Sequence, residues 1–249
     1  LVSTVTSEST VQLSIEEFEI PTPEDDEVLV AVEASPINPS DLGLLLAGAG
    51  ESTASKTESG LVLSLPDGAV EALTGRLDQA MPVGNEGAGI VVDAGNGEEA
   101  QALKGQVVAA LAGGMYATHR IVKARECLVL EEGTKAVDAA SCFVNPLTAL
   151  GMTETMKLEG HSALIHTAAA SNLGQMLNRI CIDDEIALVN IVRREEHVEL
   201  LKSQGATHVI NSSSSDFRSE LVEAITQTGA TVGFDAVGGG DLTTELLHA

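Results

Sequence analysis

From about Thr134 to its end, this chain alternates helix-type and strand-type segments, and that alternation constrains its fold more than any other feature. Ala136–Cys142 and Pro146–Met156 read as helices, Ala163–His166 as a strand, Gly174–Cys181 as a helix and Ile186–Val192 as a strand. Glu195–Gln204 is helical, with Leu200 and Leu201 inward and Gly205 at its end. Thr207–Ile210, Phe217–Thr226, Thr231–Asp235 and Asp241–Leu247 continue as strand, helix, strand and helix. Short apolar strands separated by helices of this kind close as a parallel sheet with right-handed crossovers.

The first strand of that series leads into a distinctive turn. Ala163–Leu177 reads Ala-Leu-Ile-His-Thr-Ala-Ala-Ala-Ser-Asn-Leu-Gly-Gln-Met-Leu. A buried strand, a turn of small residues and a helix start can hold a dinucleotide pyrophosphate. Small residues let the backbone approach the phosphates, and the helix N-terminus offers free N–H groups and a favourable dipole. In the pattern A-x-x-G-x-x-G the chain places Ala168, Ser171 and Gly174, so a serine replaces one glycine. The alternative is an ordinary strand–turn–helix with a packed Gly174. A complete sheet of the dinucleotide-binding type has six strands. Four are legible here, so the domain is expected to be incomplete at its C-terminal end.

Up to about Glu132 the grammar is different. Val28–Glu33 alternates apolar and polar residues, and Gly89–Val92 and Gln106–Leu111 are short β-type runs. Pro21, Pro23, Pro36, Pro39, Gly84, Gly87 and Gly95 punctuate them. The expected class is α/β, with a β-rich domain over residues 1–133 and a parallel-sheet domain over residues 134–249. Glu51–Gly60 is polar and is expected to be a mobile loop, and Ser212–Ser215 a linker between strand and helix. With four Phe, one Tyr and no Trp, the core must be built from Leu, Val, Ile and Ala.

The formal net charge of −24 repels nucleic acid and anionic membrane. No apolar run is long enough to span a bilayer, and no signal peptide is evident. Cys127, Cys142 and Cys181 lie far apart with no C-x-x-C spacing, so a structural zinc lobe has no ligands. Such an unpaired set suits a reducing cytoplasm, each thiol acting as a small buried apolar group. The chain opens on Leu1 rather than Met, which suggests that its first residues were lost or processed.

The tip of the second parallel strand bears on which dinucleotide is preferred. In NAD-binding folds an acidic residue there accepts from the ribose 2′-hydroxyl. Here the segment is Val189-Asn-Ile-Val-Arg-Arg194, with no carboxylate at the tip. Arg193 and Arg194 can grip a 2′-phosphate as forked donors, and His197 follows one turn on. The alternative is that both arginines pair with surface carboxylates. The first reading selects NADPH over NADH.

With these pieces in hand, the order of the chain resembles the zinc-independent medium-chain dehydrogenases/reductases, in the quinone oxidoreductase and 2-enoyl thioester reductase branch. The carriers are Ala34-Ser-Pro-Ile-Asn-Pro-Ser-Asp41, Pro82-Val-Gly-Asn-Glu-Gly-Ala-Gly89, Asn145-Pro-Leu-Thr-Ala149, the small-residue turn, Gln204-Gly-Ala-Thr-His-Val-Ile-Asn211 and Phe234-Asp-Ala-Val-Gly-Gly239. The resemblance implies a GroES-like N-terminal domain followed by a Rossmann-type nucleotide domain. Zinc-dependent relatives have Cys at or next to Asn38 and His at Asn85, and asparagine amides are poor zinc ligands. No catalytic metal is therefore expected.

The resemblance also implies roles. Asn38 and Asp41 would border the nicotinamide and substrate, and Asn145 and Thr148 would lie beside the nicotinamide or its ribose. Ala170, Ser171, Asn172, Leu173 and Gly174 would meet the pyrophosphate, and Val237 and Gly238 would lie under the cofactor. Asn172 tolerates a left-handed backbone, and the Ser171 and Asn172 side chains can donate to phosphate. Competing structural roles are a helix cap for Asn38, a helix start for Asn145-Pro146 and a turn for Asp235. Enoyl thioester reductases carry a tyrosine shortly after the first motif, where this chain has Leu42–Gly50. The one tyrosine, Tyr116, either reaches substrate or makes a buried edge contact. The leading expectation is an NADPH-dependent reductase of a quinone or activated alkene, cytoplasmic and homodimeric when full-length. The alternatives are an enoyl thioester reductase and a nucleotide-binding protein without turnover.

Overall fold

The computed structural model describes residues 1–249 and divides into two units, Leu1–Val144 and Asn145–Ala249. In chain order the strands of the first are β1 (Val2–Val5), β2 (Thr10–Ser14), β3 (Glu27–Ala34), β4 (Ser55–Lys56), β5 (Gly60–Ser64), β6 (Met81–Pro82), β7 (Glu86–Ala94), β8 (Val107–Leu111), β9 (His119–Lys123) and β10 (Cys127–Val129). Its helices are α1 (Pro39–Leu46), α2 (Ala69–Ala72), α3 (Glu98–Leu103) and α4 (Ala136–Ala139). One five-stranded sheet runs β4-β5-β2-β1-β6 and the other β10-β8-β7-β3-β9. Every pairing between these strands is antiparallel.

Aliphatic side chains fill both cores, as the scarcity of aromatics requires. Val28, Val30, Val91 and Val108 pack with Ala100 of α3 and with Met115. Val5, Val11, Leu13 and Leu63 pack with Leu45 and Leu46 of α1. The strand read as alternating is instead a buried run, since Val28, Leu29 and Val30 are all inside. The cause is cover on both faces of its sheet. Ala100 of α3 lies in one core with Val28 and Val30, and Ala136 and Ala139 of α4 lie in another with Ala88 and Ala109. That packing sets α4 within the first unit, whereas the sequence reading began the second domain at Thr134.

Residues 51–60 are not a structureless loop. Glu51–Thr53 forms a 3-10 turn and β4 pairs with β5. Thr53 Oγ1 pins the turn by accepting from the Ser64 N–H at 2.9 Å.

The second unit carries α5 (Val144–Leu158, whose first residue closes the first unit), β11 (Ala163–His166), α6 (Asn172–Asp183), β12 (Ala187–Val192), α7 (Glu195–Ser203), β13 (His208–Asn211), α8 (Phe217–Thr228), β14 (Val232–Phe234) and α9 (Gly240–His248). The four strands pair in the order β13-β12-β11-β14, all parallel. Side chains that alternate along β11 go to opposite layers. Ile165 joins Phe217 and Leu221 of α8, and Leu164 joins Met156 of α5 and Leu177 and Cys181 of α6. The expected parallel sheet is present, and helices pack on both of its faces. The chain order of its strands reverses between β11 and β14. In open parallel sheets that reversal opens a crevice at the carboxyl ends of the strands, where ligands bind.

Candidate functional site

The end of β11 turns through Thr167–Ser171 into α6. Ala168, not Asn172, takes the left-handed conformation, with φ of 51°. Ser171 is the N-cap of α6, and its hydroxyl accepts from the Gly174 N–H at 3.1 Å. The serine in the glycine position thus has a local partner. Gly174 is required by space, because a Cβ there would stand 2.2 Å from the Ala169 carbonyl oxygen. Only glycine lets α6 begin this close to the turn. The N–H groups of Asn172 and Leu173, first in the helix, have no acceptor within it and lie at its positive end.

A neighbouring turn follows β14. The Asp235 carboxylate accepts from Thr243 Oγ1, from Thr167 Oγ1 at 2.7 Å and from the Val237 N–H at 3.0 Å. The Thr243 and Thr167 hydroxyls hold its pKa well below the usual carboxylate range. Thr167 is fully buried, and its oxygen also accepts from the N–H groups of Ala236 (2.8 Å) and Val237 (3.3 Å). Asp235 is accordingly a turn residue. Val237 is exposed, and Gly238 has φ of 75°. Sequence inspection missed Thr167, and nothing in a single threonine beside a strand end signals this role.

Just before the turn, His166 is fully buried. Burial lowers its pKa, so the imidazole is neutral, with Nδ1 3.1 Å from the Phe234 oxygen. Its Nε2 has no hydrogen-bond partner, and neither has Oδ1 of buried Asn190, its register partner on β12.

Beyond β12 the two arginines diverge. Arg194 pairs with Glu196 at 3.1 Å, whereas the exposed Arg193 guanidinium forms no ion pair. His197 Nε2 lies 3.8 Å from Glu196. Asn145 and Thr148 sit three residues apart near the start of α5, on one helical face. The helix begins at Val144, so Pro146 is its third residue rather than its first; a missing N–H is still harmless there.

In the first unit the structure brings Asn38, Asp41 and Tyr116 into one cluster with Glu86. Asn38 caps α1, and its N–H donates to Asp41 Oδ2 at 2.8 Å. Asp41 Oδ1 accepts from the Asn85 N–H at 2.8 Å. The Asn38 amide nitrogen donates to Glu86 Oε1 at 2.8 Å. Glu86 Oε2 accepts from the N–H groups of Phe143 (2.8 Å) and Val144 (3.1 Å). Tyr116 donates to the Pro36 carbonyl at 2.9 Å. Burial, then Asp41 and Glu86 nearby, push its phenol well above its ordinary pKa. Gly84, at φ of 97°, makes room for the tyrosine ring, since a Cβ there would lie 2.5 Å from it. Tyr116 also lines an open groove of about 1120 Å³ whose apolar wall includes Ile15, Phe18 and Ile20.

No group of three or more His, Cys, Asp or Glu side chains is arranged to hold a metal ion. No helix is long and apolar enough to cross a membrane. Cys181 is buried and its thiol is pushed up to about 12, while Cys127 and Cys142 are only half-buried.

No protein-family model matches the chain. It is 29% identical over 160 residues to the synaptic vesicle membrane protein VAT-1 homolog of Rattus norvegicus, covering 64% of this chain and 39% of that protein. It is 28% identical over 205 residues to the mitochondrial enoyl-[acyl-carrier-protein] reductase of Xenopus tropicalis, covering 80% of this chain and 51% of that one. The chain thus spans about half or less of these relatives. Among solved structures, a candidate NADPH:quinone reductase from Mesorhizobium loti superposes with a TM-score of 0.70 at 29% identity, over 92% of this chain and 60% of that one. One from Bacillus thuringiensis gives 0.75 at 25%, over 99% and 67%. The chain is similar in sequence and in fold to the quinone oxidoreductase and enoyl reductase branch of the medium-chain dehydrogenases/reductases, with a GroES-like unit followed by a Rossmann-type one.

Proposed function

We propose that this protein is an NADPH-dependent oxidoreductase that delivers hydride to a quinone or activated alkene without zinc. One observation carries it: the turn Thr167–Ser171, with Gly174 forced by space, lies where the strand order reverses between β11 and β14. The residues fit a dinucleotide. The Asn172 and Leu173 N–H groups would receive the pyrophosphate, with Ala170, Ser171 and Gly174 keeping the approach narrow. Val237 and Gly238 would lie along it from the second turn, and Asn145 and Thr148 beside the nicotinamide ribose. Arg193, free of an ion pair, would hold the 2′-phosphate. Arg194 and His197 would need to leave Glu196 to assist. When bound, the dihydronicotinamide supplies the hydride. Asn38 and Asp41 would orient the acceptor.

The likeness to an enoyl-[acyl-carrier-protein] reductase supports a second reading, reduction of an enoyl thioester. Its proton donor would be Tyr116. That hydroxyl is already donated to Pro36, and its raised pKa makes it a poor acid. Quinone reduction needs no dedicated carbon acid, so the cluster favours a quinone. The charge of −24 and the free cysteines support a cytoplasmic protein acting on a small molecule rather than on nucleic acid. The homodimer rests on the family resemblance.

Titration of NADPH and NADH decides the cofactor. NADPH is expected to bind more tightly, and Arg193→Ala to weaken it roughly tenfold or more, as for a lost charged hydrogen bond, with NADH unaffected. Equal wild-type affinities would remove the arginine from the argument. Nicotinamide absorbance followed with quinones and enoyl thioesters then separates the substrates. Cofactor-induced thermal stabilisation without turnover on either would mark a binding protein instead.

A further inference from the structure

We propose that Glu86 is the positioning residue for Asn38, its carboxylate setting the direction in which the Asn38 amide is presented. The inference rests on the functional reading above, in which Asn38 serves the reaction.

Glu86 is fully buried and Asn38 nearly so. No lysine or arginine pairs with Glu86, and a buried carboxylate in that state is costly unless its lone pairs are filled. Three N–H donors fill them, and the two oxygens divide the work. Oε2 takes the backbone groups of Phe143 and Val144, while Oε1 takes the Asn38 side chain. Anchoring the backbone would need only the first. The second oxygen acts on an amide whose two ends are alike in shape but opposite in hydrogen bonding. An acceptor at 2.8 Å forces the nitrogen toward Glu86 and the oxygen away. The backbone N–H of Asn38 is held at 2.8 Å by Asp41, so the residue is fixed at both ends.

The test is Glu86→Gln, which keeps the shape but faces one of the donors with another donor. Two readouts are needed. The side-chain NH₂ resonance of Asn38, identified by its loss in Asn38→Ala, is expected downfield and slow to exchange in the wild type. In E86Q it should move upfield and exchange faster. With a quinone acceptor, kcat should fall about tenfold, as for a misplaced group, while the Kd for NADPH stays unchanged. An Asn38 resonance that does not move, or an unaltered kcat, overturns the proposal. Should E86Q fail to fold, the exchanged pair N38D/E86Q restores one donor facing one acceptor. Because an oxygen at position 38 again faces away from position 86, it is expected to recover the fold and part of kcat, and a folded pair with no kcat would count against the proposal. If the wild type reduces neither quinone nor enone, the functional reading falls, and the amide resonance still decides whether Glu86 orients Asn38.

Discussion

Asp235 shows how a carboxylate in a candidate site can serve the backbone rather than the chemistry. Two threonine hydroxyls and an N–H hold it ionised. Its folded-state pKa therefore lies below its unfolded one. Its stabilisation is complete above the ordinary carboxylate value and is lost as pH falls through that value toward the folded one. Asp235→Asn is expected to cost about 1–2 kcal/mol at neutral pH, kept small by partial exposure. Thermal unfolding of both proteins checks this. The gap between them should begin to narrow as pH falls below about 4, the ordinary carboxylate value, and a gap independent of pH would mean the charge is irrelevant. Of the residues in this turn, the sequence made Asp235 legible as structural but hid Thr167. A buried hydroxyl acquires its meaning from partners more than sixty positions away.

Helix α6 explains why a degraded glycine pattern can still build a narrow turn. The Ser171 hydroxyl supplies the cap, Ala168 takes the strained backbone and Gly174 supplies the space. Ser171→Ala should lower stability by about 1 kcal/mol, whereas Ser171→Gly should cost only a few tenths. Denaturant titration of the pair distinguishes capping from mere small size; equal losses would rule capping out. The elements of the second unit were legible because the two central strands, β11 and β12, are buried and largely aliphatic and the helices packed on them carry apolar stripes. The hairpin β1–β2 escaped notice. Its strands are four and five residues long and rich in Ser and Thr, so too few positions report a period of two. Val28–Glu33 misled in the opposite sense, because cover on both faces removes the alternation.

Across the whole molecule, 37 acidic residues face 13 basic ones. The ion pairs are mostly exposed and contribute little each, so general repulsion outweighs specific attraction. Raising NaCl to about 0.5 M shortens the screening length to about 4 Å. The Tm should then rise by about 3 °C or more, and a fall would show that the ion pairs dominate after all. The motif order along the chain made both halves recognisable, yet Glu86 passed as one letter of a motif, because its partners at Asn38 and Val144 are scattered through the sequence. The buried Thr167 hydroxyl has a consequence at this scale too. One oxygen ties the two lips of the parallel sheet's mouth together by hydrogen bonds, so that neither can open without breaking them. Anything that settles against one lip meets the other already in place.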